Sequence, residues 1–225
     1  MDLIYILDDN ASDNILSIRG ELFKYLVKVR RHALGDELSF RSRDDIQKLH
    51  KYKVVALEAR SLKLELISSK LEVVDSNKLL HIAWCIIDIK SIEKILPSLN
   101  EIGVSRISFI YCDRSQKSTK IDFKRFKRIL EASMQQSGRS SYIEFDTYKN
   151  IKDFINNFPD TKVFDFCENI LEDSSDFKTI LIGCEGGFSQ NEKELLKNQE
   201  NFRLNTPMVL RSESAVMAVS SKILL

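Results

Sequence analysis

From Leu79 onward, short apolar runs alternate with longer amphipathic stretches, and this alternation constrains the fold more than any other feature of the chain. Leu79 to Asp88 reads as a central strand, Ile92 to Ile102 as a helix, Ile107 to Cys112 as a second strand and Lys120 to Ser137 as a long helix. Tyr142 to Phe145, Val163 to Phe166 and Thr179 to Ile182 continue the strand series. Such a pattern predicts an α/β fold, a mainly parallel sheet covered by helices on both faces. In sheets of this kind a ligand sits beyond the C-terminal ends of the strands.

One of those ends is unusual. The run Thr179-Ile180-Leu181-Ile182 opens into Gly183-Cys184-Glu185-Gly186-Gly187-Phe188-Ser189, a loop whose glycines let a ligand approach the main chain closely. Gln190 to Gln199 reads as the helix that leaves it. A second apolar stretch, Leu204 to Leu210, is broken by Asn205-Thr206-Pro207 and leads through Arg211-Ser212-Glu213-Ser214 into a final helix. Ser212 or Ser214 is expected to cap that helix, with Glu213 near its positive end. Two strand-loop-helix turns this close in sequence can face one pocket. A phosphate-binding loop is excluded, because no Lys-Ser or Lys-Thr follows Gly187, and the glycine spacing does not match a dinucleotide fingerprint. The remaining reading is a site for a neutral or cationic ligand, with Glu185 placed where a phosphate would be repelled.

These two motifs, Ile182-Gly183-Cys184-Glu185-Gly186-Gly187-Phe188-Ser189 with Glu192 and Val209-Leu210-Arg211-Ser212-Glu213-Ser214-Ala215, resemble the cofactor motifs of the RsmE family of SPOUT methyltransferases. The likeness extends through Glu101-Ile102-Gly103-Val104, Asp113-Arg114-Ser115 and Gln136-Ser137-Gly138-Arg139, and more weakly through Val27 to Arg31 and Gly35 to Leu38. It implies S-adenosylmethionine as cofactor and methylation of N3 of a uridine in 16S ribosomal RNA of the small subunit. It also implies a SPOUT-type sheet with a C-terminal trefoil knot and a twofold homodimer. Cofactor contacts are expected at Ile182, Gly183, Glu185, Gly186, Gly187, Leu204, Met208, Val209 and Leu210. Arg211 is expected to stabilise the uracil oxyanion, and Glu213 to orient Arg211 or handle the proton. The chain departs from the family pattern at Cys184, where proline is usual, at Thr206 and Met208, where glycine and arginine are usual, and at Asp88-Ile89 and Pro97-Ser98. These departures leave open a non-catalytic RNA-binding or ribosome-assembly role, or methylation at another RNA position.

The N-terminal third has another texture. Leu38 to Phe40, Val54 to Ala59 and Leu62 to Ile67 are strand-like, the last alternating apolar and charged residues as a half-exposed strand does. The division expected is residues 1–73 as a small β-barrel and 78–225 as the α/β domain, and the resemblance implies that the barrel is a PUA-like RNA-binding module. Although the formal charge is only +1, Arg106 to Arg139 holds nine Lys or Arg against three Asp or Glu. Arg114, Lys117, Lys120, Lys124 and Arg139, together with Arg19, Lys28, Arg30 and Arg31 in the barrel, are the expected phosphate contacts. Four cysteines without Cys-x-x-Cys spacing and three dispersed histidines argue against a metal site. The N-terminus lacks the apolar core of a signal peptide, so a cytoplasmic protein without membrane attachment is expected.

Overall fold

A computed structural model describes residues 3–116, 119–172 and 177–225. The chain divides into two compact units, Met1–Asp75 with Met134–Ser141, and Ser76–Ser133 with Tyr142–Leu225.

The first unit is a five-stranded mixed sheet that curls into half a barrel. Its strands are β1 (Ile6–Leu7), β2 (Ile15–Arg19), β3 (Glu37–Arg41), β4 (Lys48–Leu57) and β5 (Ser61–Leu71), in the order β1-β3-β4-β5-β2. β5 turns Leu62 and Leu64 into the core and Lys63 and Glu65 outward, the alternation expected of it. Register shifts between β4 and β5 at Lys51/Tyr52 and Val54/Ala56 add local twist, which bends the sheet around Phe40, Tyr52 and Leu64. After β2 the chain enters a short helix, α1 (Gly20–Lys24), continued by one π turn through Val29. Arg41 is buried, yet its Nη1 donates to the carbonyls of Ile46 and Glu72, each at 2.9 Å, and its guanidinium lies over the Tyr5 ring. Sequence reading missed β1, β2 and the return of Met134–Ser141 to this unit. That return places Arg139 where phosphate cannot reach it. Its side chain is 5% exposed and pairs with Asp75 at 3.1 Å, so Arg139 is a buried strut rather than part of a cationic surface.

The second unit is an all-parallel sheet of six strands, β6 (His81–Cys85), β7 (Arg106–Ile110), β8 (Glu144–Tyr148), β9 (Lys162–Phe164), β10 (Thr179–Ile182) and β11 (Asn201–Phe202), ordered β11-β9-β10-β6-β7-β8. β10 is inserted between β9 and β6, with Ile182 opposite Trp84. Its helices are α2 (Ile89–Ile102), α3 (Phe123–Ser137), α4 (Ile151–Asn157), α5 (Gln190–Leu196) and α6 (Ser212–Leu224). The last residues of α3, from Met134, are grouped with the first unit. Asp88, one of the departures noted above, caps α2 by accepting from Ser91 N at 3.1 Å. Gly103 ends that helix at φ +103°, where a Cβ would stand 2.6 Å from Ser76 Cβ. Lys78 Nζ donates to the Ile223 carbonyl at 2.8 Å, a cation at the negative end of α6.

Candidate cofactor cavity

At the C-terminal ends of β9 and β10 lies a cavity of about 220 Å³. Every residue expected to touch a cofactor lines it: Ile182, Gly183, Glu185, Gly186 and Gly187 from the first loop, and Leu204, Met208, Val209 and Leu210 from the second. Phe164, Asp165 and Phe166 form a third wall that sequence reading did not assign to the site, though the end of a strand beside β10 is where such a contribution would be sought.

The first loop is held from several sides. Ser189 and Glu192 form a capping box at the start of α5, where Ser189 Oγ accepts from Glu192 N and Glu192 Oε2 accepts from Ser189 N. Glu192 is 5% exposed, and its other oxygen accepts from Asp113 N at 2.8 Å, so one buried carboxylate ties the loop after β7 to the loop after β10. Gly187 adopts φ +66° and donates its N–H to the Cys184 carbonyl at 2.9 Å, closing a tight turn that glycine enters without strain. Arg114 donates to the Gly186 carbonyl, and a Cβ on Gly186 would lie 3.1 Å from Arg114 Cδ. Arg114, expected as a phosphate contact, thus clamps the loop, while the residue as a whole stays exposed.

Cys184 packs inward, its Sγ 3.5 Å from Cys112 Sγ, and the bond from Cys112 together with burial pushes the Cys184 thiol well above its usual range. The residue is buried and fills space between the loop and Cys112.

The second loop is looser. Thr206 Oγ1 accepts from Met208 N at 3.2 Å, and Met208 and Val209 are 69% and 77% exposed. The N-cap of α6 is Arg211, without a side-chain cap, so neither Ser212 nor Ser214 caps this helix as the sequence suggested. Ser212 is instead the first helical residue, and its hydroxyl donates to the Gly183 carbonyl at 2.6 Å. Arg211 is exposed and Glu213 half-buried, and neither belongs to the cavity wall; they flank Ser212, which does.

The donor set suits one kind of ligand. Aromatic and aliphatic walls with main chain at their edges match a flat heterocycle. The two carboxylates, Asp165 and Glu185, favour a cation over a phosphate chain, and the one basic lining residue, Arg203, has its Nη1 turned to the Leu204 carbonyl at 3.2 Å.

Of the expected phosphate contacts, Arg19, Lys28 and Arg31 are exposed on the first unit, and Arg30 donates through Nε to Tyr25 OH at 2.7 Å. Lys120 and Lys124 are exposed on the second; Lys120 precedes α3 rather than belonging to it, and Lys117 lies outside the described residues. Among the described residues no cluster of ligating side chains fits a metal ion, and no helix is long and apolar enough to cross a membrane.

Residues 75–224 match the family model described as RNA methyltransferase domain. The chain is 38% identical over 215 residues to Ribosomal RNA small subunit methyltransferase E of Helicobacter pylori strain ATCC 700392 / 26695, covering 94% of this chain and 95% of that protein. It is 29% identical to Ribosomal RNA small subunit methyltransferase E 2 of Borreliella burgdorferi, covering 94% of this chain and 92% of that one. Among solved structures, the Neisseria gonorrhoeae Ribosomal RNA small subunit methyltransferase E bound to S-adenosyl methionine superposes with a TM-score of 0.74 at 15% identity, covering 98% of this chain and 96% of that one. A Legionella pneumophila protein solved with bound SAM gives 0.75 at 20%, covering 99% and 97%. With the sequence motifs, the parallel sheet and the cavity at its strand ends all in agreement, the chain belongs to the family of ribosomal RNA small subunit methyltransferase E.

Proposed function

We propose that this protein transfers a methyl group from S-adenosylmethionine to N3 of a uridine in 16S ribosomal RNA. The observation that carries the reading is the convergence of the two loops, residues 182–188 and 203–212, on one mainly apolar cavity whose charged lining is Asp165, Glu185 and Arg203, the last with its Nη1 turned to the Leu204 carbonyl. Family membership supports RNA methylation, and the motif resemblance supports the finer assignment to uridine N3.

S-adenosylmethionine supplies a methyl group made electrophilic by its sulfonium sulfur. Ile182, Leu204, Met208 and Leu210, with main chain between Gly183 and Gly187, would hold the adenine. Glu185 and Asp165 would offset the positive charge of the sulfonium. Arg211, free to extend from the N-cap of α6, stabilises negative charge on the uracil oxygens as the N3 proton leaves. Glu213, in the first turn of the same helix, orients Arg211 or accepts that proton. Much of the rate enhancement comes from alignment of N3 with the methyl group. Arg19, Lys28, Arg30 and Arg31 on the half-barrel, and Arg114, Lys120 and Lys124 on the other unit, neutralise RNA phosphates. The knotted C-terminal crossover and the twofold dimer of SPOUT enzymes belong to the same reading.

Nucleoside mass spectrometry of small-subunit RNA from a deletion strain, with and without the restored gene, tests the reaction. Loss and recovery of 3-methyluridine is the expected result, and an unchanged nucleoside profile overturns it. Calorimetry with S-adenosylmethionine separates an enzyme from an assembly factor of the same fold, which would give no binding heat.

A further inference from the structure

Ser212 sits where the two loops meet, and its hydroxyl both donates and accepts. It donates to the carbonyl of Gly183, the first residue of the glycine loop, at 2.6 Å, and accepts from Trp84 Nε1 at 2.8 Å. Trp84 is fully buried on β6, directly beside β10, and its indole N–H points away from the sheet ladder toward the start of α6. Ser212 is 4% exposed. A hydroxyl has one proton to give and two lone pairs to receive, so one oxygen satisfies both a buried donor and a loop carbonyl. No apolar residue can replace it without leaving both groups unpaired.

We infer that Ser212, anchored by Trp84, is a positioning residue that fixes the first turn of α6 in register with the glycine loop and so sets where Arg211 and Glu213 project. The inference rests on the proposed methyl transfer for its catalytic consequence, but the coupling of the loops is a property of the free protein. The Ser212 proton is committed to Gly183, so the residue orients its neighbours and exchanges no proton with substrate. Arg211 has no cap bond of its own to hold the helix start. The Trp84-Ser212-Gly183 chain fixes that start to the sheet from beneath. Ser212 does not cap α6, and the bond to Gly183 gives it a different task.

The experiment compares Ser212→Ala and Ser212→Thr in the full chain. Because Trp84 is the only tryptophan, its emission reports on the hydrogen bond to Ser212 directly. In Ser212→Ala the emission shifts, the Kd for S-adenosylmethionine rises about tenfold, and single-turnover transfer falls by a further factor of about ten at saturating cofactor. Ser212→Thr, which keeps the hydroxyl, restores all three. Wild-type Kd and transfer rate in folded Ser212→Ala overturn the inference, even if its melting temperature falls, since that is the signature of packing alone. Should Ser212→Ala fail to fold, Trp84→Phe keeps an aromatic ring in place while removing the donor, and the packing lost with the indole is read separately from the melting temperature. A rise of about threefold in Kd supports the anchor, and an unchanged Kd and rate overturn it. If the wild-type protein binds no S-adenosylmethionine, the functional reading fails separately. Hydrogen exchange at Gly183 to Phe188 then decides: faster exchange in Ser212→Ala supports the coupling, and equal exchange overturns it.

Discussion

The two ends of the parallel sheet are made of different materials. At the C-terminal ends of β9 and β10, main chain, glycines and apolar side chains surround an open cavity. At the opposite end, polar and aromatic groups pack on one another around the starts of β6 and β7, while a second cavity, of about 560 Å³, opens beside the starts of β9 and β10 at Lys162 and Thr179. Arg106 pairs with Asp146, His81 Nε2 lies 2.7 Å from Ser108 Oγ, and the His81 ring packs edge-on against Phe158 with centroids 4.7 Å apart. The pairing is incomplete, since Arg106 Nε and Asp146 Oδ1 are buried without a partner, yet here side chains contact side chains, whereas at the cavity loops main chain is left accessible to a ligand. Substitutions at one end should therefore register in turnover and at the other in unfolding.

The largest expected effect is on chemistry. Arg211→Ala should lower the single-turnover rate by about 10²-fold to 10³-fold, the range for losing one group that stabilises a developing oxyanion, with the unfolding midpoint unchanged. A rate within a few-fold of wild type would remove Arg211 from the transition state. Glu192 is where the contrast should fail, because it is a buried carboxylate at the open end. Glu192→Ala strands the N–H groups of Asp113 and Ser189 and should cost about 2–3 kcal/mol in urea unfolding while also weakening cofactor binding. An effect on unfolding alone would show that the loop keeps its shape without this tie.

Around His81 the expected signal is a pH dependence. Burial, reinforced by Arg106, lowers the His81 pKa from 6.5 to about 4. Between those values the unfolded chain takes up a proton that the folded chain refuses. The contribution of neutral His81 is therefore complete above pH 6.5, declines as pH falls toward 4 and changes no further below that. The slope from this group approaches about 1.4 kcal/mol per pH unit in that window, and His81→Asn should remove it from a series of urea midpoints at pH 7, 6 and 5. A wild-type slope in the variant would assign the dependence elsewhere. The smallest effect belongs to Val209→Ser on the exposed rim, where stability should change by less than about 0.5 kcal/mol. A larger loss would mean that the rim is packed rather than open.

What was legible in the sequence follows the reach of the interactions. Thr179 to Ile182 was readable as a strand to the residue, because a four-residue apolar run ending in glycine carries its own boundaries. The start of α5 at Gln190 was readable too, although the helix ends at Leu196 rather than Gln199. Ile15–Arg19 was not readable as a strand, because only Leu16 and Ile18 face inward and its partner β5 lies far along the chain. The burial of Arg139 depends on Asp75, and the task of Ser212 on Trp84, neither of which is near in sequence. Local patterns thus located the cavity loops, while the side chains that hold them needed the fold.

The placement of β10 has a consequence for how the protein comes into being. Thr179 finds its place opposite His81 only after the intervening strands and helices have been synthesised, and residues of the cavity wall continue to Ala215. A nascent chain that has delivered β6, β7 and β8 holds a sheet with its future centre exposed as an edge, and nothing on it can grip a cofactor. Ligand binding cannot guide the early stages of assembly, and contacts this distant slow the search. A ligand of this cavity meets the chain only after synthesis has passed Ala215.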